Sequence, residues 1–591
     1  MPHAVTIAAP GLQALILCGP GSSFPTFTAN PDENPKALLP IANRPMVWYP
    51  LDFCYRAGIT SESHSQSHMA VSSLHQGASH SVSCQEPFSN AAADITLICP
   101  PSAAEAITTA LNTNPFLTSL PYPKADLLSP KDLDQNTGTA QILRLPEIQA
   151  LVTSDFLVLP CDLVCELGAD KLLQAWMVKS ANLADLLSHS ELPRAQPSGG
   201  LGVWYQTKTA TPVKGEETDF TATVPLPPSS VLPPKGSLFP NISELVYSMP
   251  TDSRKDLVEE QSGFPTRASL IRNHPRARML ATHRDAHLYI FPRWVMDFIR
   301  ENDALETIGE DVVGWWAKAG WQKGLAAKLG LDKILGIDQN EGNREEEKSG
   351  TGGTPSPSKS GTGPTQTVSI KDKAEQVRQS ESTLKNTSSQ PLVPPMLAYV
   401  HPSQPVAASG PATSAAPAPA PVVIRRVDTS QLLLQVSLQL AKLPSVEETG
   451  PETASPFAHA RKVAYPEGVK PRTTITKADS LVADNVTVQE KSAIKECVIG
   501  ANCQINEGAK LLQCLLMDGV VVGKNCKLTK CILGKRSEIG EGCILTDCEV
   551  QENMLVERKS KLPACLQTHT HRANTFQQRK QRKRSSCLRL G

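Results

Sequence analysis

The sequence predicts an α/β domain with a mainly parallel sheet, followed by a parallel β-helix built from short repeated strands. Three observations carry this prediction. Short apolar runs typical of strands alternate with helical patterns between residues 11 and 337, which is the pattern of an α/β domain. Apolar residues then recur at a spacing of five or six from Ile494 to Val550. Between these regions lies a polar, then Pro/Ala-rich stretch, which is typical of a linker.

The α/β domain is predicted over residues 11–337. Its strand candidates are the apolar runs Ala14–Cys18, Ile95–Cys99, Phe156–Leu159, Gly200–Tyr205 and His287–Phe291. Its helix candidates are the amphipathic stretches Met46–Ala57, Ala103–Leu111, Ala169–Met177 and Trp294–Glu301. In such a domain the ligand lies beyond the carboxyl ends of the strands.

Two stretches interrupt the folded pattern. Residues 60–90 are rich in Ser and His and lack apolar periodicity, which favours a disordered insertion over a metal site. Residues 338–472 are expected to be a largely disordered linker, with a short helix at Gln431–Leu440.

The β-helix is predicted over residues 473–556. Three successive apolar spacings always sum to 17 residues, so Ile499, Leu516, Leu533 and Val550 form one column. Six-residue spacing in groups of three indicates a triangular coil of short strands. Seven cysteines stand two residues before apolar positions and therefore face the same way: Cys497, Cys503, Cys514, Cys526, Cys531, Cys543 and Cys548. We interpret them as small buried side chains rather than metal ligands.

The composition of the chain restricts the classes of partner and the cellular compartment that the sequence predicts. The chain has 58 Lys and Arg against 58 Asp and Glu, so its net charge predicts neither a nucleic acid nor a membrane as a partner. Its fifteen cysteines lack paired Cys-x-x-Cys spacing, as expected of reduced thiols in the cytosol. Residues 557–591 are basic and unpatterned, and we expect a disordered tail there.

A glycine turn follows the first strand. The sequence "GPGSSFPTFT" begins at Gly19, and "PKALLP" places Lys36 shortly after it. Together with "DFLVLPCDLV", which contains Asp162, these segments resemble the sugar-nucleotide pyrophosphorylases. The resemblance implies a nucleotide site at Gly19, Gly21, Lys36 and Asp162, and it makes "TGTA" at 137–140 a loop on the base and sugar side.

Two departures from that family affect the chemistry. Ser23 stands where the pyrophosphorylases have an arginine, and a neutral hydroxyl cannot neutralise phosphate charge as a guanidinium does. The second metal-binding aspartate of the family, in a W-x-D-x-G motif, has no counterpart in the sequence. We therefore expect a vestigial nucleotide loop with no catalytic residue, no metal and no cofactor.

A more specific resemblance rests on "LLPIANRPMVWYPLDF" and "DAHLYIFPRWVMDFI". These segments are similar to the gamma subunits of the guanine-nucleotide exchange factor for translation initiation factor two. The resemblance implies a left-handed coil and a non-catalytic regulatory subunit in the cytosol. It also implies pairing with the epsilon subunit and other exchange-factor subunits, and binding to the initiation factor, without direct contact with nucleic acid or membrane.

Two alternatives are open at this point. An active sugar-nucleotide pyrophosphorylase, such as GDP-mannose pyrophosphorylase, would share the two-unit plan, and Ser23 argues against it. A β-helix scaffold of unrelated function would explain the coil but not the segment around Lys36.

Overall fold

We describe a computed structural model of the chain. It describes residues 11–19, 23–59, 94–122, 124–134, 136–180, 198–208, 212–213, 216–226, 236–264, 266–336, 393–402 and 422–562. The predicted insertion at 60–90 lies outside the described residues, as do Gly21 and all of the predicted tail beyond residue 562.

Thirteen strands precede the coil in the described residues. They are β1 Gln13–Leu17, β2 Pro40–Ile41, β3 Arg44–Pro45, β4 Ile95–Ile98, β5 Asp126–Leu128, β6 Phe156–Pro160, β7 Leu163–Cys165, β8 Gly200–Gln206, β9 Asp219–Pro225, β10 Ile242–Pro250, β11 Arg278–Phe291, β12 Met396–Val400 and β13 Ile424–Arg426. Each of the five runs predicted as strands overlaps one of these elements, namely β1, β4, β6, β8 and β11.

Nine of these strands form one sheet in the order β5-β4-β1-β6-β11-β8-β12-β10-β9. The half β5-β4-β1-β6 is parallel, as predicted. The other half is mixed, because β11 runs antiparallel to β6 and β8 while β12 is parallel to β8. The first half of β11 also pairs with β9. The five strands β11, β8, β12, β10 and β9 therefore form a closed ring of paired strands.

Helices cover both faces of this sheet. The α-helices are Trp48–Arg56, Pro101–Thr113, Pro115–Thr118, Thr139–Arg144, Pro146–Leu151, Ala169–Ser180, Thr251–Gln261, Ala268–Asn273, Trp294–Glu301, Gly314–Ala319, Leu325–Lys328, Leu331–Ile334, Ser430–Ala441 and Val446–Thr449, with a π-helix at Ile308–Val313 and 3₁₀-helices at Lys36–Leu38, Phe239–Asn241 and Pro466–Gly468. In the described residues no helix is long and apolar enough to cross a membrane.

The linker prediction for residues 338–472 is wrong over its described parts. Strand β12 is inserted between β8 and β10 inside the large sheet, and β13 pairs with β7. The helix predicted at Gln431–Leu440 is present as Ser430–Ala441, capped by the Thr429 side chain. The prediction failed because polar residues, Pro and Ala together set the average composition of this stretch, whereas each folded piece is short.

The C-terminal coil consists of three parallel sheets of two- and three-residue strands. The first contains Thr474–Ile475, Ala493–Lys495, Lys510–Leu512, Lys527–Thr529, Ile544–Thr546 and Lys561–Leu562; the second Leu481–Val482, Val498–Ile499, Leu515–Leu516, Ile532–Leu533 and Glu549–Val550; the third Thr487–Val488, Gln504–Ile505, Val521–Val522, Glu538–Ile539 and Leu555–Val556. The coil therefore continues six residues past the predicted end at 556.

The predicted columns are in register. Leu516 pairs with Ile499 and with Leu533, and Leu533 pairs with Val550. All seven coil cysteines are buried, in agreement with their interpretation as small core side chains. The 17-residue period of the sequence therefore correctly predicts which residues form the core of the coil.

One face of the coil packs on the α/β domain. The outward residues of the second sheet, Leu481, Val498, Leu515 and Ile532, belong to the same buried apolar cluster as the domain's own core. The Asn43 side chain also donates to the Ile499 carbonyl at 2.9 Å, and the Thr26 hydroxyl donates to Glu549 at 3.0 Å. The loop that carries Thr26 lies between the glycine turn and Lys36, so the coil contacts the segment that forms the candidate site.

Candidate functional site

The described residues of the predicted site, Gly19, Lys36 and Asp162, lie at the carboxyl ends of β1 and β6. Gly19 follows β1 with a φ of +131°, a conformation that favours glycine. Lys36 begins a 3₁₀-helix and Asp162 follows β6. Lys36 and Asp162 are brought together although 126 residues separate them.

Lys36 is held by protein side chains. Its Nζ lies 2.7 Å from Asp162 Oδ2 and 3.3 Å from the Ser23 hydroxyl. Burial opposes the ionisation of Asp162, but the charges of Lys36 and Arg426 outweigh it and hold the pKa of Asp162 below its ordinary value. Burial likewise opposes the charge of Lys36, but Asp162 outweighs it and raises the pKa of Lys36. Both groups are therefore ionised as a pair.

Two arginines that the sequence analysis did not identify complete the network. The Arg426 Nε lies 3.9 Å from Asp162, and its Nη2 lies 3.4 Å from Asp428. Arg284 in β11 lies 2.5 Å from Asp428 and 3.4 Å from the exposed Glu217. Asp428 therefore lies on the other side of Arg426 from Asp162, and its carboxylate is bound by the two arginines.

This donor set does not fit a divalent metal ion. Hard cations need several carboxylate oxygens that are free to coordinate, but Asp162 Oδ2 is paired with Lys36 and Asp428 with Arg284. Asp162 Oδ1 has no hydrogen-bond partner among the described residues, but it is a single oxygen and lies 3.9 Å from the positive charge of Arg426. In the described part of the chain no group of three or more His, Cys, Asp or Glu residues could hold a metal. The cations are equally committed, since Lys36 contacts Asp162 while Arg284 and Arg426 contact Asp428.

The "TGTA" loop is occupied by another part of the domain. The Ala140 N–H, at the start of the helix Thr139–Arg144, donates to the Glu306 carbonyl at 2.9 Å. The Thr139 hydroxyl accepts from the Ile308 N–H at 2.9 Å. A Cβ at Gly138 would lie 2.2 Å from the same Glu306 carbonyl. This helix end therefore binds its own chain through the groups that would meet a base or sugar.

A second cluster lies beside the ion pairs, where β11 bulges between Asp285 and Tyr289. Asp285 accepts from the Tyr289 hydroxyl and from the His287 N–H, and its own N–H donates to Asp219. His287 adopts a left-handed φ of 52°, a strained conformation of a kind that collects at functional sites. Burial, together with the Asp219 carboxylate, raises the pKa of Asp285 to about 7.

The Asp285 carboxyl should give the chain a pH-dependent stability. Because its pKa is raised above the unfolded value of about 3.9, the folded state holds a proton that the unfolded state releases between roughly pH 4 and pH 7. The free energy of unfolding should therefore fall as the pH rises through this window, by on the order of a few kcal/mol. Urea unfolding at a series of pH values measures this slope.

The matched variants are Asp285→Asn and Asp303→Asn. The first cannot lose a proton and should flatten the slope, while the second changes a carboxylate whose side chain is 94% exposed and should leave it intact. An unchanged slope in Asp285→Asn would assign the pH dependence to another group.

The enclosed space at this site is small. A cavity of about 200 Å³ lies between Gly19, Lys36, Asp162, His287 and Arg426. Pockets for small-molecule ligands usually measure about 300–1,000 Å³. The side chains and ion pairs thus fill much of the space at the strand ends.

Comparison with known proteins gives two matches. The family model of the eIF2B subunit epsilon LbH domain, a left-handed β-helix, matches residues 465–562. Translation initiation factor eIF2B subunit gamma of Schizosaccharomyces pombe is 25% identical over 337 residues, which cover 56% of this chain and 56% of that protein. The chain is therefore similar to an eIF2B gamma subunit over about half of its length, and its coil matches an eIF2B-type domain.

The sheets of the structure and the matched coil domain agree with the predicted fold, an α/β domain followed by a left-handed coil. The chain spans little more than half the length of the relative that it matches. The sequence did not lead us to predict three charged residues of the site, which are Arg284, Arg426 and Asp428. For Arg426 and Asp428 the available signal was the short run "VVIRRVDT", in which apolar residues precede a pair of arginines. We did not interpret this run as a strand because its surroundings are rich in Pro and Ala.

Proposed function

We propose that the chain is a non-catalytic regulatory subunit of the guanine-nucleotide exchange factor that converts GDP-bound translation initiation factor two to its GTP-bound form. In this role it pairs with the epsilon subunit in the cytosol and contacts the initiation factor. The observation that carries the proposal is the similarity of the chain to eIF2B gamma together with the eIF2B-type coil at 465–562. Gly19, Gly21, Lys36 and Asp162 are, in this proposal, a vestigial nucleotide loop.

The charges at the strand ends support the non-catalytic part. A nucleotidyltransferase stabilises the developing charge of the leaving pyrophosphate with free cations and metal. Here Lys36 is paired with Asp162, and Arg284 and Arg426 both contact Asp428. A triphosphate would have to break these buried pairs before it gained any contact, which is costly because each broken pair leaves an uncompensated charge.

The loop at 137–140 supports the same conclusion independently. The N–H groups of Ala140 and Gln141 both point to the Glu306 carbonyl, at 2.9 and 3.4 Å. A nucleotide base would need the segment around Glu306 to move away. The cations that would bind phosphate are paired with carboxylates, and the N–H donors that would bind a base are bonded to the Glu306 carbonyl. This arrangement is better suited to a structural role than to catalysis.

Nucleotidyl transfer should be absent. The purified chain, mixed with GTP or another nucleoside triphosphate, a sugar 1-phosphate and Mg²⁺, should release no pyrophosphate above background, because its cations are neutralised internally. A working GDP-mannose pyrophosphorylase in the same assay is the control. Pyrophosphate release at a rate comparable to the control would favour the pyrophosphorylase alternative.

Nucleotide exchange should require the partner subunit. The chain alone should not accelerate release of fluorescent GDP from translation initiation factor two. Mixed with the epsilon subunit, it should form a stable complex that releases GDP faster than epsilon alone, because the added subunit improves binding of the initiation factor. Strong acceleration by this chain alone, or failure to bind epsilon, would contradict the proposal.

A further inference from the structure

The coil has three outer faces, and they differ in what covers them. The second sheet packs on the α/β domain. The first sheet presents its outward residues away from the coil core, and we call this surface the lysine face. It consists of Thr474, Ala493, Lys495, Lys510, Leu512, Lys527, Thr529, Ile544, Thr546 and Lys561.

The lysine face carries charge of one sign. Four of its ten residues are exposed lysines and none is acidic. None of these four lysines forms a salt bridge with a carboxylate of the described part of the chain. Glu496, at the corner beside Lys495, is paired with Lys442 at 3.6 Å. The pKa of this carboxyl is lowered more by Gln513 and Lys442 than by Lys495. The lysines are therefore available to a partner.

The register places like charges next to each other. Lys510 and Lys527 are direct partners in adjacent turns of the coil, about 4.8 Å apart in the direction of the strand hydrogen bonds. Like charges directly opposite each other destabilise a sheet. The next positions of the same row are Ala493 and Ile544, so the coil accommodates neutral residues there. Repulsion between these two lysines therefore destabilises the coil locally in the isolated chain, and an anionic partner would relieve that repulsion.

The apolar residues of this face indicate the class of partner. Leu512 and Ile544 are each 38% exposed, which suits a protein surface with both apolar and charged contacts. Surfaces that bind single-stranded nucleic acid use aromatic side chains on which bases stack, and the lysine face has none. A second copy of this face is a poor partner, because lysines would then oppose lysines.

We propose that the lysine face is a docking surface for an acidic and partly apolar surface of a different protein chain. The flat row of six strands offers a contact about 24 Å long at the usual strand spacing of about 4.8 Å. Charge complementarity orients the partner, and Leu512 and Ile544 supply its apolar contacts. This proposal does not depend on the function proposed above, which concerns the complex to which the chain belongs.

Site-specific photocrosslinking tests the proposal. The full chain is expressed in its native host cells with p-benzoylphenylalanine in place of Leu512, or in place of Leu555 as the matched control. Leu555 is also exposed (52%) but lies on the third sheet. After irradiation, mass spectrometry identifies the crosslinked peptide. We expect position 512, and not position 555, to crosslink to a segment of another protein that has an excess of Asp and Glu.

Charge variants then test the mechanism. Lys510→Glu with Lys527→Glu should reduce the crosslink at least tenfold, and the reverse change of two carboxylates in the identified partner segment should restore it. Lys328→Glu with Lys333→Glu, at exposed positions on the α/β domain, should have no effect. Lys527→Thr is the milder variant, and it should weaken the crosslink while leaving the thermal unfolding temperature unchanged or higher.

The proposal is overturned if position 512 crosslinks to this same chain, to RNA, to a neutral or basic segment, or to nothing. A crosslink that survives the charge reversal overturns it as well. The identity of the crosslinked chain bears separately on the proposed function: an acidic partner outside the exchange factor would support the docking surface and argue against the exchange-factor assignment.

Discussion

Leu516→Asp should strongly destabilise the C-terminal coil. Leu516 is fully buried and lies between Ile499 and Leu533 in one inward column of the coil. A carboxylate at this position would be removed from water without a partner, and we expect a cost of several kcal/mol. Circular dichroism of the full chain should show loss of strand signal at a lower temperature than in the wild type.

The control for this variant is Leu512→Asp. Leu512 lies one strand earlier but is 38% exposed, so its substitution should change the free energy of unfolding by only about 0.5 kcal/mol. If both variants unfold at the wild-type temperature, the 17-residue columns do not form the core of the coil.

Arg284→Met should destabilise the α/β domain by roughly 3 kcal/mol. The Arg284 side chain is 3% exposed and its partner Asp428 is 12% exposed. Breaking a buried ion pair from one side typically costs about 3–5 kcal/mol, because the other charge is left buried without compensation. We expect the lower end of that range since Arg426 still contacts Asp428 at 3.4 Å. Urea unfolding followed by tryptophan fluorescence measures the change.

Two variants separate a buried-charge effect from a general loss of packing. Adding Asp428→Asn to Arg284→Met removes the orphaned charge and should recover part of the stability. Lys255→Met breaks an exposed pair with Asp252 and should cost less than about 1 kcal/mol. If the double variant is no more stable than Arg284→Met, the arginine contributes through packing rather than charge.

Several elements of the fold follow from local patterns. The strands β1, β4 and β6 are continuous apolar runs because both faces of a parallel sheet are covered. The columns through Leu516 follow from a repeat of 17 residues, in which each turn of the coil repeats the environment of the previous one. In both cases the pattern that predicts the element lies within the element itself.

The candidate site was predictable only in part. Lys36 and Asp162 were identified because they lie in segments that resemble a known family. Arg284 is separated by about 140 residues from Arg426 and Asp428, and these segments meet where β13 pairs with β7. The same holds for Glu306, whose backbone carbonyl, not its side chain, occupies the loop at 137–140.

The sequence by itself therefore determined the two kinds of folded unit, their order and the inward columns of the coil. The tertiary structure alone decided that β12 fills a place between β8 and β10, that the cations at the strand ends are neutralised by carboxylates, and that one coil face lies on the α/β domain. The physical reason is that periodicity records whether a residue is buried. Pairing depends on which free strand edge or opposite charge lies nearby in space, and residues distant in sequence supply both.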